Sequence, residues 1–146
     1  PSEKELLAAK EVMSDKLICP TDFVVASSVK TKSRTVKLNE IKDTDFVYDL
    51  GEQTIKEYTR IISSAKMVVW NGPVGLFEKK QFKNGTVKIA QAVAKSKAYS
   101  VCGGGETLLA LKENRVVKKI NFMSMAGGAM LSYLADEPMP GLENLY

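Results

Sequence analysis

Apolar positions along the chain recur with two periods. Short runs of β-branched and aromatic residues end at glycine or proline, and longer stretches with three- to four-residue spacing follow them. From Ser2 to Met13, residues Leu6, Leu7, Ala9, Val12 and Met13 fall mostly on one face. Ser2 followed by Glu5 is a capping signal, so a helix is predicted there. Lys16-Leu17-Ile18-Cys19 predicts a short strand stopped by Pro20. Phe23 to Ala26 is a second apolar run. Ser27 to Asp45 is polar, with alternation at Thr35-Val36-Lys37-Leu38, and predicts a surface excursion or small hairpin rather than core.

The second half repeats one unit. Asp45 to Gly51 predicts a strand running into a turn, and Glu52 to Ser64 a helix with Ile55, Tyr58, Ile61 and Ile62 on one side. Lys66 to Asn71 is a strand that ends in Gly72-Pro73-Val74-Gly75. Phe82 to Lys95 is a helix with Val87, Ala90, Val93 and Ala94 facing inward. Ala98 to Cys102 is a strand leading into Gly103-Gly104-Gly105, and Leu108 to Glu113 is helical. Ile120 to Met123 is a strand followed by Ala126-Gly127-Gly128 and a helix from Ala129 to Leu134; Pro138 to Gly141 is irregular. Strand, glycine loop, helix, repeated, predicts an α/β fold with a parallel sheet and helices on both faces. The chain enters this alternation at a helix, so it is expected to be part of a larger protein, with a sheet edge left to cover.

Three strand ends carry glycine-rich turns: Asn71 to Gly75, Gly103 to Gly105, and Ala126 to Gly128. In a parallel sheet they share one edge, where such folds place ligands. Two of the three open directly into helices, whose free amides and dipole favour an anion such as phosphate. Any strand-to-helix turn also favours glycine, and none of the three matches the Gly-x4-Gly-Lys phosphate loop or the Gly-x-Gly-x-x-Gly fingerprint. Glu106 and Thr107 stand where a helix begins, as caps or as part of a magnesium site using one carboxylate with phosphate oxygens. Glu78 is either a solvated acid or an acceptor for ribose hydroxyls. Trp70 continues an apolar strand and is expected in the core.

Composition narrows the function classes. Among 146 residues, 45% are apolar and 26% charged, the balance of a globular domain with a core of its own. No apolar run reaches the ~18 residues of a membrane span, and no signal peptide is visible. With no histidine, Ser-His and Cys-His catalysis is excluded. Cys19 and Cys102 are expected to be buried reduced thiols of a cytosolic protein rather than metal ligands. The net charge of +4 comes from scattered lysines and favours small anionic ligands, not nucleic acid.

The stretch Trp70-Asn71-Gly72-Pro73-Val74-Gly75-Leu76-Phe77-Glu78 resembles the nucleotide-side segment of phosphoglycerate kinase. Its companions follow the family's order over nearly the whole chain: Cys19-Pro20-Thr21-Asp22-Phe23-Val24, then Asp49-Leu50-Gly51-Glu52-Gln53-Thr54. Gly103 to Thr107 stands for Gly-Gly-Gly-Asp-Thr, and Gly127-Gly128-Ala129 and Pro140-Gly141 come last. The resemblance implies a Rossmann-like three-layer α/β/α domain with a mainly parallel sheet, incomplete at its N-terminal side. It would be part of the C-terminal nucleotide-binding domain of a cytoplasmic glycolytic kinase, monomeric when intact. The implied reaction is magnesium-dependent phosphoryl transfer between 1,3-bisphosphoglycerate and ADP, giving 3-phosphoglycerate and ATP. The phosphoglycerate would be bound by an N-terminal domain to which nothing here corresponds. Gly75 and Leu76 would line the adenine pocket, with Pro73 supporting the loop and Glu78 on the ribose. Asn71, Gly105 and Thr107 would lie at the phosphates, Glu106 at the magnesium, and Gly127 and Gly128 at the transferred phosphoryl group.

Three departures bear on catalysis. Glu106 is one methylene longer than the family's aspartate. Met125 and Ala126 replace a threonine and a glycine at the transfer site, and Val47-Tyr48 replaces Gly-Leu on the adenine side. They motivate an alternative, a catalytically impaired nucleotide-binding or scaffold module. An unrelated small α/β nucleotide-binding protein is a third reading.

Overall fold

The parallel arrangement forms from the three strands that lead into the glycine loops. In the computed structural model, which describes residues 2–143, β4 (Met67–Asn71), β5 (Tyr99–Gly103) and β6 (Phe122–Ser124) pair in parallel in the order β4-β5-β6. Trp70 pairs with Cys102, and Cys102 with Met123. Each crossover carries a helix: α3 (Asn84–Lys95) between β4 and β5, and α4 (Gly105–Glu113) between β5 and β6. Alternation decides the faces. Trp70 and Cys102 point into a core with Ile89, Ala90 and Val93 of α3, Leu111 of α4 and Ile120. Tyr58 and Ile62 of α2 (Glu52–Ser64) close that core from the side.

The opposite face is thinner. Met67, Val69, Tyr99 and Phe122 are 44–60% exposed there. Its cover comes from α5 (Gly127–Leu134), whose Met130 lies where a Cβ on Gly103 would point. Helices thus lie on both faces, and the fold is the expected Rossmann-like α/β type.

The other strands form a second sheet. β1 (Asp22–Ala26), β2 (Arg34–Lys37) and β3 (Phe46–Leu50) pair antiparallel in the order β2-β1-β3. Parallel pairing is therefore confined to half of the strands. The predicted surface excursion is a real hairpin, but it is not free of the core: Val36 is buried at 7% exposure. Arg34 of β2 donates to Asp45 at 2.5 Å, the one ion pair among the described residues.

Several expectations need correction. Lys16–Cys19 is not a strand, because a strand requires a neighbour and no described segment pairs with it. Leu17 and Ile18 are 45% exposed, and Ile18 borders an apolar cleft of about 310 Å³ lined also by Tyr58, Ile62, Val69 and Trp70. Cys19 is exposed, not buried; Cys102 is buried as expected. The first helix, α1 (Glu3–Glu11), has its capping box, with the Ser2 amide donating to Glu5 at 2.6 Å, but buries none of its residues. In α3 the buried residues are Gly85, Thr86, Ile89, Ala90 and Val93, so the inward face is rotated away from Val87 and Ala94. Phe82 precedes the helix and is fully buried. The tail contains a short helix, α6 (Pro140–Glu143).

Candidate functional site

Four helices begin in the central part of the chain, and their first turns are treated in two ways. At α2 the cap residue is Gly51, which has no side chain to offer. The carboxylate of Asp22, buried at 4% exposure on β1, takes that role: it accepts from the Thr54 amide at 2.8 Å, the Gln53 amide at 3.1 Å and the Thr54 hydroxyl at 2.6 Å. At α3 the carboxylate of Asp49, 2% exposed at the end of β3, accepts from the Gly85 amide at 2.9 Å. Both acids satisfy free amides and face the positive end of a helix dipole.

Helices α4 and α5 are different. Their cap residues are Gly104 and Ala126, and no side chain among the described residues caps either one. Both N-termini open onto one polar cavity of about 310 Å³, lined by Asn71, Gly72, Gly104, Gly105, Glu106, Thr107, Met125, Gly127 and Gly128. Two uncapped helix starts converging on one space leave several N–H donors aimed at whatever occupies it. An anion with several oxygens suits that arrangement.

The cavity is tightly built on the sheet side. Asn71 ends β4, and its Oδ1 is 3.0 Å from where a Cβ on Gly104 would stand and 2.5 Å from one on Gly127. Gly104 has φ +90°, which a side chain would strain. Its amide donates to the Ser124 carbonyl at 3.1 Å, joining the β5 and β6 loops. Thr107 is fully buried, and its hydroxyl accepts from the Gly72 amide at 2.8 Å. Thr107 is thus a tie between two loops rather than a cap of its own helix. Trp70 is in the core as expected, and its indole N–H donates to the Gly72 carbonyl at 2.7 Å.

Of the sequence-predicted site residues, Asn71, Gly105, Glu106, Thr107, Gly127 and Gly128 therefore come together. Pro73, Gly75, Leu76 and Glu78 lie outside this lining, on the continuation of the β4 loop; Glu78 is exposed and follows the buried Phe77. Glu106 is exposed at the cavity, and no group of three metal-ligating side chains occurs among the described residues. A lone carboxylate beside a cavity faced by two helix N-termini has the chemistry to join a magnesium ion, which takes most of its ligands from phosphate and water. Met125 is 85% exposed at the rim.

Sequence reasoning missed Asp22 and Asp49. Their signal is an acid at a strand terminus, which has meaning only once a helix start from more than thirty residues away is placed against it. Their ionisation differs. Burial disfavours the Asp22 carboxylate, but the hydrogen bonds from Thr54 and Gln53 outweigh it and hold its pKa below the usual value. For Asp49 burial wins over the amides of Gly85, Leu50 and Asn84, and its pKa is raised.

The sequence model of a family described as Phosphoglycerate kinase matches residues 2–137. Phosphoglycerate kinase from Coxiella burnetii is similar to this chain at 37% identity and a TM-score of 0.81, over 96% of this chain and 36% of that one. The enzyme from Pyrococcus horikoshii OT3 is similar at 32% identity and a TM-score of 0.81, over 98% of this chain and 37% of that one. The chain thus spans little more than a third of these relatives. The matched residues include the three glycine loops and the carboxylate-anchored helices alike, and the chain belongs to the phosphoglycerate kinase family.

Proposed function

We propose that this chain supplies part of the nucleotide site in the C-terminal domain of a phosphoglycerate kinase. The complete enzyme would transfer a phosphoryl group reversibly between 1,3-bisphosphoglycerate and ADP, giving 3-phosphoglycerate and ATP. The observation that carries the reading is the pair of uncapped helix starts, α4 and α5, facing one cavity with Asn71 and Glu106 at its wall. Phosphoryl transfer depends on positioning and on donors aimed at the charge that develops on the phosphoryl oxygens. The amides of Gly127 and Gly128 at the start of α5 would serve the transferred group. Gly105 and Thr107 would serve the nucleotide phosphates, with the Asn71 amide between the two loops. Gly75 and Leu76 would line the adenine, with Pro73 stiffening the turn, and Glu78 would accept from ribose. Glu106 would hold magnesium, which neutralises phosphate charge when bound. The phosphoglycerate would be held by the N-terminal domain of the complete enzyme, so these 146 residues alone would not catalyse. The intact enzyme would be monomeric and cytoplasmic. No described helix is long and apolar enough to cross a membrane.

The test is calorimetric titration of the chain with Mg-ADP beside a Glu78→Ala variant. Binding that weakens roughly tenfold in the variant is expected for loss of hydrogen bonds to a charged acceptor. A folded chain that binds no Mg-ADP would refute the reading. One observation favours a second reading, an impaired binding or scaffold module: Met125 and Ala126 stand at the α5 helix start, with Met125 on the cavity rim. Under it, restoring Thr, Gly and Gly at Met125, Ala126 and Val47 in the intact protein raises turnover strongly. Unchanged turnover rejects it.

A further inference from the structure

We infer that Asp49 is a positioning residue for the β4 loop, setting the place of Gly75 and Leu76 without touching ligand itself. The inference rests on the nucleotide reading for its functional meaning, but its geometry is independent of it. Asp49 is a carboxylate at 2% exposure, and no cation among the described residues pairs with it. Its hydrogen bonds are to backbone: the Leu50 amide at 2.8 Å on one oxygen and the Gly85 amide at 2.9 Å on the other. Holding such a group in the interior is costly unless the fold uses it.

Two glycines make room for it. A Cβ on Gly75 would stand 2.5 Å from Asp49 Oδ1, and a Cβ on Gly85 would collide with the same atom. The carboxylate is therefore wedged between the β4 loop and the first turn of α3. The loop is gripped on both sides of this contact. The Leu76 amide donates to the Tyr48 carbonyl at 2.7 Å, and the Thr86 hydroxyl donates to the Val74 carbonyl. Residues 74–76 thus hang from β3 and from the start of α3, and Asp49 ties those two elements to each other by hydrogen bonding, beside the stacking of Tyr48 on Phe82. Gly75, with φ +69°, is required twice: for its backbone angle and for the space the carboxylate occupies.

The test compares Asp49→Asn with Asp22→Asn, which makes the same chemical change at the start of α2. Amide hydrogen exchange is measured along the chain, and Mg-ADP is titrated. In Asp49→Asn one acceptor oxygen becomes an NH2 group that cannot accept, which loosens the hold on the start of α3 and on the loop packed against it, so exchange at Leu76 and Gly85 should rise at least about tenfold relative to β5. Mg-ADP affinity should fall by a similar factor. Asp22→Asn should speed exchange broadly, with no excess at Leu76 and no loss of affinity in the folded fraction. Leu76 exchange in Asp49→Asn that is unchanged, or raised only as much as β5, overturns the inference. If the wild-type chain binds no Mg-ADP, the nucleotide reading fails while the exchange pattern still decides the role of Asp49. Should Asp49→Asn not fold, Gly85→Ala crowds the same carboxylate from the α3 side. It should release the same loop, and a loop that keeps wild-type protection there overturns the inference equally.

Discussion

Adding one methyl group at Gly127 should separate a crowded helix start from an open one. A Cβ there would stand 2.5 Å from Asn71 Oδ1, 2.8 Å from Gly104 Cα and 2.9 Å from Gly104 N. Two of these three atoms are backbone, so no side-chain rotation relieves the clash. Either α5 moves away from the β5 loop or the loop itself shifts. Overpacking of this kind costs about 1–3 kcal/mol. Replacing glycine by alanine in a helix returns up to ~1 kcal/mol, and less in the first turn. A net loss of roughly 1–2 kcal/mol remains for Gly127→Ala. Gly128 is the control: nothing lies within 4 Å of its Cβ position, so Gly128→Ala should be neutral or slightly stabilising. For a chain of this size about 4 °C in Tm accompanies each kcal/mol. Thermal and urea denaturation should thus place Gly127→Ala roughly 4–8 °C below wild type, and Gly128→Ala at or above it. Mg-ADP affinity should fall with the first, since the displaced amides belong to the cavity. A Gly127→Ala variant as stable as Gly128→Ala would refute the close packing of α5 on Gly104.

Two further outcomes follow from buried groups. Because the pKa of Asp22 is lowered in the folded chain, its hydrogen bonds stabilise the fold above the unfolded carboxylate pKa of ~3.9, and that stability is lost as pH falls through the folded value. Asp22→Ala should lower stability by about 2 kcal/mol at pH 7 in urea denaturation and by clearly less near pH 2, where an equal loss at both would exclude the ionised cap. Thiol labelling at pH 8 should modify one cysteine per native chain, Cys19, because Cys102 is fully buried with its thiol pushed up to about 11; two rapid modifications without denaturant would contradict that burial.

What could be read from the sequence was local. Val68 to Asn71 followed by Gly72, and Val101-Cys102 followed by three glycines, announce a strand end and a turn within six residues, so the loops and their common edge were legible. Gly127 and Gly128 followed from the same pattern. What was not legible depends on partners far along the chain. Lys16–Cys19 has the composition of a strand but no adjacent strand to complete a ladder. Val36 alternates like a surface hairpin, yet its packing buries it. The face of α3 was misjudged because Gly85 and Thr86, small and polar, are buried through Asp49 and Val74 rather than through apolar area. Thr107 looked like a cap because the sequence places it at a helix start, whereas its partner is Gly72 on another loop.

The ties around the site also bear on how the chain reaches its folded state. Asp22 to Thr54 spans 32 residues, Asp49 to Gly85 spans 36, and Gly72 to Thr107 spans 35. None can form by the growth of a single helix or hairpin. Each closes a long loop, and the entropy of closure is spent before the contact returns anything. Chains dominated by such separations fold in milliseconds to seconds rather than microseconds. The helices α2 and α3 can flicker into being early, but the cavity between α4 and α5 needs the Gly72–Thr107 tie and is expected to take shape only after these distant loops have met.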